Sequence, residues 1–346
     1  MCGRYGVSQY EVISQLRFPL IVLVTYAHSY GAVSADYSLL SSEWDAYEVL
    51  KLTVSQTLTK VVVPVFYIIS GYLFFANVGR WDVRAYRGKL LRRARTLLLP
   101  YVLWNVLMAV KLGATGWGVL WVFWRSAGVQ TDWTGGVQLM TAPANMPLWF
   151  LRDLMVVSVL SPLVYVAVRR LGWWLLALLG GYYLSGVCAF VPGVSACSVF
   201  FFTLGAFLSI RGYDLVVAMR RVAVPAYVLA VLLAAGMVLT YGQAVFSSLM
   251  LGFRLSGAVV VFCVAARVLG ATRRRLPLVV CRSAYFVYLA HYVFFMSFVD
   301  SALFGLMGTG TVALCVHYVA APLLKAAILL LCYVAWKKVG ERFAVR

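Results

Sequence analysis

Residues 223–241 read AVPAYVLAVLLAAGMVLTY, a run of nineteen positions without a charged side chain. About 20 apolar residues are needed for an α-helix to cross the hydrocarbon core of a bilayer. Comparable runs recur along the chain, in which 63% of the 346 residues are hydrophobic and 12% are charged. Soluble domains contain roughly 45–50% apolar and 25% charged residues. The composition therefore excludes a soluble core and predicts an all-α fold, a polytopic bundle of membrane helices.

The apolar runs predict ten transmembrane helices. They cover residues 12–30, 54–77, 97–112, 147–167, 173–190, 198–210, 223–241, 247–266, 277–298 and 312–337. The gaps between them are too short for a soluble domain, and residues 1–346 are therefore interpreted as one integral membrane domain. The first run contains Arg17 and His28 and lacks a small-residue cleavage site, which favours a retained helix over a signal peptide.

The loops between these helices divide the basic residues unequally. When both termini are placed on one side, only Lys51 and Arg125 fall in the opposite loops, where Asp300 also lies. The other loop cations share the side of the termini: Arg80, Arg84, Arg87, Lys89, Arg92, Arg93, Arg95, Arg169, Arg170, Arg211, Arg220, Arg221, Arg267, Arg273, Arg274, Arg275, Lys338 and Arg342. Because Lys and Arg collect in cytoplasmic loops, both termini are predicted to be cytoplasmic. The net charge of +19 then follows from topology, and without a recognition motif it predicts no nucleic-acid partner.

Charged residues inside the predicted helices are mostly basic. They are Arg17, Lys60, Arg152, Asp153, Arg254, Arg282 and Lys325. Such residues are functional by default, because burying them in a membrane is costly. Cation-coupled transport needs intramembrane carboxylates, whereas an excess of Arg and Lys suits an anionic guest such as a phosphate-bearing cofactor. For Arg17, Arg282 and Lys325, the alternative is that the side chains snorkel to the headgroup layer. The seven cysteines show no paired spacing, so no metal site is predicted.

Arg17 and His28 share one face of the first predicted helix. They are eleven residues apart, which is three helical turns and roughly 16 Å along the helix axis. In the predicted topology the cation lies near the inner surface and the imidazole near the outer surface. An imidazole titrates near neutral pH and can accept and return a proton. This arrangement suits a reaction that joins a cytoplasmic donor to an external acceptor.

The segment from Arg17 to His28 resembles the Arg-x10-His signature of the acyltransferase-3 family, bacterial inner-membrane enzymes that O-acylate surface and exported glycans. Residues 63–72, VPVFYIISGY, are similar to a Pro-x-Phe-Phe-x-x-Ser-Gly block of that family, with Tyr67 where a second Phe is usual. Arg92-Arg93-Ala94-Arg95 resembles its cytoplasmic Arg-x-x-Arg motif. The segments 147–154 and 283–291, which contain Arg152, Asp153 and His291, also fit. The motifs follow one another in the family's order over nearly the whole chain.

This resemblance implies transfer of an acyl group, most often acetyl, from acyl-coenzyme A to a hydroxyl of a glycan or lipid-linked saccharide. The coenzyme would be a donor substrate and not a bound cofactor, and the enzyme would lie in the bacterial cytoplasmic membrane. His28 would act as general base, with Arg17 beside the donor, and Arg92, Arg95 and Arg93 would hold the donor phosphates. The candidates for binding substrate or stabilising the oxyanion are Lys60, Tyr72, Arg152, Asp153 and His291.

Several alternatives remain open at the level of sequence. Pro64 and the Ser70-Gly71 pair either bend the second helix and expose backbone groups or form a helix-packing notch. In the outer loop 113–146, Trp117, Trp121 and Trp124 recur at helical spacing, as in an interfacial aromatic belt or a sugar-stacking lid. His317 lies outside the family motifs and is expected to tolerate substitution. The alternative function is a transporter or flippase of a lipid-linked sugar, with no enzymatic step.

Overall fold

The computed structural model describes residues 7–29, 45–78, 81–111, 113, 130–131, 137–138, 143–187, 193–293, 296–308 and 310–344. These residues are almost entirely helical, which confirms the predicted all-α class. Trp117, Trp121 and Trp124 of the outer loop lie outside the described residues.

The elements follow one another in simple chain order. The helices are α1 (Gln9–Ser29), α2 (Ala46–Lys51), α3 (Val62–Phe75), α4 (Val83–Arg93), α5 (Leu99–Lys111), α6 (Trp149–Val159), α7 (Ser161–Leu171), α8 (Trp173–Leu184), α9 (Ala196–Ile210), α10 (Leu215–Arg221), α11 (Ala223–Leu239), α12 (Val245–Thr272), α13 (Leu278–Ala290), α14 (Met296–Met307) and α15 (Thr311–Ala344). A π-helical turn (Leu52–Thr57) and a 3-10 turn (Leu58–Val61) join α2 to α3, a π-helical turn (Ala94–Leu98) joins α4 to α5, and a 3-10 turn (Met146–Leu148) precedes α6. Two short strands, β1 (Gln130–Thr131) and β2 (Val137–Gln138), pair antiparallel.

The chain forms two compact units, one of residues 1–62 with 216–346 and one of residues 63–215. In the first unit, α1 packs against α13, α15 and the segment 52–61, and α11 packs against α12. The inward side of α1 carries Val12, Leu16 and Leu20, four residues apart and buried, as the helical period requires. In the second unit, α9 packs against α6, α7 and α8.

Some helices are long and apolar enough to cross a bilayer. Among the described residues, Ala46–Phe75, Val245–Thr272 and Thr311–Val339 meet this criterion, and up to 5 spans result if each bent helix pair counts as one. Large apolar side chains point outward from α11 and α15, for example Val231 (67% exposed) and Leu331 (68% exposed). Such faces suit lipid rather than water. The total of ten spans in one domain stays a prediction.

The predicted fourth helix, 147–167, is not continuous. It breaks at Leu160, and the flanking helices α6 and α7 meet at 61°. The cause is local, because Pro162 has no backbone N–H to donate to a carbonyl oxygen one turn back and its ring clashes with that turn. Proline is instead favourable in the first turn of α7, where that N–H would have no helical partner.

The segment 277–298 also differs from the single helix predicted for it. Helix α13 ends at Ala290, residues 291–293 form turns, and α14 begins at Met296. The predicted outer loop therefore contains a helix, and Asp300 lies on that helix beside Lys325. Helical periodicity alone does not reveal a break whose flanks are equally apolar.

Glycines bring α3 and α9 together in the second unit. A Cβ atom added at Gly71 would lie 2.0 Å from the carbonyl oxygen of Phe202, and one added at Gly205 would lie 2.1 Å from that of Ile68. Both glycines are therefore required for the two backbones to approach so closely. Of the two interpretations of Ser70-Gly71, the packing notch explains Gly71, in the manner of small residues between membrane helices.

We expect Gly205→Ala to lower the stability of the protein markedly. The new methyl group would meet backbone atoms, which cannot rotate away, and overpacking typically costs about 1–3 kcal/mol. Thermal unfolding in detergent micelles measures the effect. The matched control is Gly181→Ala, because a Cβ at Gly181 meets open space. An unfolding midpoint for Gly205→Ala equal to that of the control would contradict the close packing of α3 and α9.

Candidate functional site

Two histidine rings face each other in the first unit. His28, near the end of α1, is half-buried, and its ring centroid lies 5.5 Å from that of His291. The Tyr292 ring lies 6.0 Å from His28 in an edge-on arrangement. Helices α1 and α13 pack together along their length, which brings the ends that carry these residues into contact. Among the described residues, none forms a hydrogen bond with the His28 ring.

The surroundings of His291 fix the form of its ring. The side chain is 1% exposed, and its Nδ1 lies 2.7 Å from the carbonyl oxygen of Tyr288. A carbonyl oxygen only accepts hydrogen bonds, so Nδ1 carries the proton and Nε2 of the neutral ring has a free lone pair. Nε2 is buried and has no partner among the described residues. His291 therefore offers an acceptor atom next to the His28 ring.

Two cations lie beside this histidine pair. Lys60 belongs to the 3-10 turn Leu58–Val61, which packs against both α1 and α12. It is within electrostatic range of His28 on α1 and of Arg254 on α12. The Nε atom of Arg254 is buried without a hydrogen-bond partner among the described residues. The site therefore combines two imidazoles with an ammonium and a guanidinium group.

Four carboxylates of the first unit have partners other than these two cations. Glu11 pairs with Arg275, Asp45 accepts from the backbone N–H of Tyr47, Glu48 lies 2.6 Å from Lys51, and Asp300 lies 2.8 Å from Lys325. Within the part of the unit that the structure describes, Lys60 and Arg254 form no ion pair. The described charged residues near the histidine pair are therefore cations.

Arg17 is separate from the histidine pair. It lies on α1 three turns before His28, is exposed, and has Cys281 of α13 in electrostatic range. The structure keeps the two signature residues on one continuous helix but does not bring them into contact. Arg282, on α13, is also exposed.

The remaining predicted site residues belong to the second unit. Tyr72 is buried, and its hydroxyl donates to the carbonyl oxygen of Tyr213 at 3.1 Å. Arg152 donates to Asp153 through Nε at 3.0 Å and Nη2 at 2.8 Å, and Asp153 also accepts from Ser195. The hydroxyl proton of Tyr72 is therefore already used in a hydrogen bond. Arg152 and Asp153 hold each other as an ion pair, as polar groups within a packed interior generally do.

A second group of cations lies along α4 and the π-helical turn that follows it. Arg92 and Arg95 are exposed, whereas Arg93 donates to the hydroxyl of Ser70 at 2.7 Å and lies 5.4 Å over the Phe74 ring. Burial, together with the nearby Arg92 and Arg93, lowers the pKa of Lys89 below its usual value. The cations are therefore close enough to repel one another, and an anion bound there would relieve that repulsion.

Sequence analysis missed the pairing of Lys325 with Asp300. Lys325 is 1% exposed, and its Nζ donates to Asp300 Oδ2 at 2.8 Å, which excludes snorkelling. His317 is also 1% exposed and stacks on Phe304 with centroids 3.9 Å apart, so the expected tolerance to substitution there is no longer supported. Lys325 is within electrostatic range of His291 as well. The ion pair could have been predicted from the spacing of Asp300 and Lys325 only if helix α14 had also been predicted.

Comparisons with known proteins found a family model and a relative that match the chain. A family model described as an acyltransferase domain matches residues 11–336. The succinoglycan biosynthesis protein ExoH of Rhizobium meliloti (strain 1021) is 30% identical to the chain over 178 residues. That match covers 49% of this chain and 43% of the relative, so it spans less than half of either protein. No solved structure matches the chain.

We expect Lys325→Met to destabilise the protein strongly, by about 3–5 kcal/mol, because it leaves Asp300 without its cation. The double variant Asp300→Asn with Lys325→Met should recover most of that loss, since neither charge remains. Lys111→Met, at an exposed position, is the control. Chemical unfolding in detergent gives the three free energies of unfolding. Equal losses in the single and double variants would show that the ion pair does not determine the cost.

Proposed function

Because the chain belongs to the acyltransferase-3 family, we propose that it moves an acyl group, acetyl or a larger one, from cytoplasmic acyl-coenzyme A to a hydroxyl of a surface or exported glycan. The observation that supports this most is the His28–His291 pair beside Lys60 and Arg254. It joins a proton acceptor to cations that stabilise negative charge, which are the two requirements of acyl transfer to a hydroxyl. The similarity to a succinoglycan biosynthesis protein supports a saccharide acceptor.

The proposed reaction has two steps, attack of the acceptor hydroxyl on the thioester and collapse of the tetrahedral intermediate. His28 takes the proton of the acceptor hydroxyl as its oxygen attacks the thioester carbonyl carbon. The carbonyl oxygen becomes an oxyanion, stabilised by Lys60. When the carbon–sulfur bond breaks, the coenzyme thiolate leaves and takes up the proton from His28, and the acyl group remains as an ester. In this proposal His291 Nε2, which has no partner among the described residues, accepts a hydrogen bond from the protonated His28 and so orients it.

The donor phosphates need their own cations. We assign them to the exposed Arg92 and Arg95, since guanidinium groups bind phosphate with two parallel hydrogen bonds. Lys89 and Arg93 add positive charge at the same place, although Arg93 is also held by Ser70. Tyr72, Arg152 and Asp153 support this unit through their own contacts, and we give them no role in the reaction.

The alternative function is a transporter or flippase of a lipid-linked sugar. A coupled transporter requires a carboxylate or another site that takes up the driving ion. Glu11, Asp45, Glu48 and Asp300 of the first unit are already held by a cation or a backbone N–H. Acyl transfer uses the free histidine and cations directly and is therefore the better explanation.

We expect Arg92→Ala with Arg95→Ala to raise the apparent KM for the acyl donor more than tenfold. Each substitution removes a hydrogen bond between charged partners, which contributes roughly 1.5–3 kcal/mol. The control is Arg169→Ala with Arg170→Ala, which removes two other exposed arginines from the same unit. Steady-state transfer in membranes with equal protein content measures both. Unchanged donor kinetics in the first variant would limit Arg92 and Arg95 to a role in topology.

We expect His28→Ala to lower acyl transfer about 100-fold to 10,000-fold, the usual range for losing a general base, while donor binding is retained. Arg17→Lys should recover only part of the activity lost in Arg17→Ala, because lysine lacks the planar guanidinium fork. Transfer of labelled acyl groups to glycan in membranes with equal protein content tests both. Near-normal labelling by His28→Ala would remove the general-base assignment, and loss of donor binding with activity would make His28 a packing residue.

The proposed orientation places both termini and the loops 78–96 and 267–276 in the cytoplasm, with the protein in the cytoplasmic membrane. The reason is the concentration of Lys and Arg in these segments. Single cysteines introduced into each loop should be protected from a membrane-impermeant thiol reagent in intact cells and labelled after the inner membrane is opened. Labelling of the 78–96 loop in intact cells would reverse the orientation and exclude cytoplasmic coenzyme A as its ligand.

A further inference from the structure

Lys60 and Arg254 are brought together by local features of two helices. The π-helical turn Leu52–Thr57 and the 3-10 turn Leu58–Val61 interrupt the regular helix immediately before and around Lys60. Hydroxyl groups of this stretch bond to carbonyl oxygens one turn back, as Thr59 does to Ser55 at 2.6 Å. Such bonds compete with the regular ladder, and irregular turns inside a helix are frequent at functional sites.

Gly257 then lets α12 approach this turn closely. A Cβ atom added at Gly257 would lie 2.4 Å from Cγ1 of Val61, the residue next to Lys60. Arg254 lies three residues before Gly257, and therefore on the same face of α12. Its buried Nε atom has no partner among the described residues. Lys60 and Arg254 are thus within electrostatic range of each other, and among the described residues neither forms an ion pair.

Lys60 and Arg254 are half-buried, and two like charges partly removed from water without a counter-charge are costly. A protein retains such an arrangement when a bound anion supplies the missing charge. We propose that Lys60 and Arg254 form a binding site for an anionic group of the substrate, a carboxylate or a phosphate, next to His28. Under the acyl-transfer function proposed above, on which the assignment of this anion to a substrate rests, the enzyme prefers a substrate that carries a second negative group near the reacting centre.

An oxyanion formed only in the transition state does not account for both cations. That charge is transient, whereas Lys60 and Arg254 repel each other in the resting protein as well, and one of them suffices as an electrostatic donor. A ground-state anion neutralises the pair before reaction begins. It can belong to the acyl chain, as in a dicarboxylic acyl group, or to the acceptor, as the phosphate of a lipid-linked saccharide.

Binding is tested first and without any transfer reaction. The purified protein in phosphatidylcholine nanodiscs is heated in chloride, acetate, succinate or inorganic phosphate at equal ionic strength. Succinate or phosphate should raise the unfolding midpoint above that in chloride, because a ligand that binds only the folded state stabilises it. The rise should vanish in Lys60→Met with Arg254→Met and persist in Arg282→Met. No rise with either anion, or an equal rise in the double variant, would overturn the proposal.

The midpoint of the double variant without added anion is a second test. Removing two uncompensated cations should leave this midpoint unchanged or higher. A large fall would mean that the cations have structural partners within the protein and would overturn the proposal. The thermal results stand even if no donor supports transfer, an outcome that would contradict only the proposed acyltransferase function.

Turnover then distinguishes the two sources of the anion. If it belongs to the acyl chain, Arg254→Met, which keeps Lys60 as the oxyanion donor, should lower kcat/KM about tenfold or more further with succinyl-coenzyme A than with acetyl-coenzyme A, as for a lost hydrogen bond between charged groups. If it belongs to the acceptor, both donors should lose equally and the preference for a phosphorylated acceptor should disappear. Unchanged kinetics with both donors and with both acceptors would overturn the proposal.

Discussion

Charge buried within a helical bundle has to be matched by an opposite charge or by a ligand, because the interior cannot replace water. Three buried or half-buried cations of the described residues meet that condition within the protein. Lys325 has Asp300 at 2.8 Å, Lys51 has Glu48 at 2.6 Å, and Arg152 has Asp153 at 2.8 Å. Lys60 and Arg254 do not, within the residues that the structure describes. This difference separates the cations that stabilise the fold from those available to a substrate.

The two cations decide how the histidine pair is interpreted. An isolated His28 beside His291 could be explained as aromatic packing at 5.5 Å. With Lys60 within electrostatic range, we propose that the His28 imidazole acts as a proton acceptor where negative charge is stabilised. The donor cations of α4 belong to the other compact unit, whose own contacts hold Arg93 to Ser70. Binding of the donor and proton transfer are thus assigned to different parts of the chain.

The all-α class and the family could be predicted from the sequence, because the length of apolar runs and the order of motifs can be read from the sequence alone. His28 was singled out because Arg17 lies three turns before it. Three features escaped prediction. The break at Leu160 and the separate helix α14 interrupt runs that remain apolar on both sides. Periodicity also does not encode the irregular turns Leu52–Thr57 and Leu58–Val61 or the close approach of Gly257 to Val61, which accompanies the proximity of Lys60 and Arg254.

The most direct test of the account is the chemical state of the glycan made in cells with and without this protein. Mass spectrometry of the purified glycan should show an additional acyl ester, removed by mild alkali, only when the active protein is present, and the ester should be missing when His28→Ala replaces it. A glycan of identical mass in all three strains, differing only in the amount exported, would contradict acyl transfer and favour a transporter.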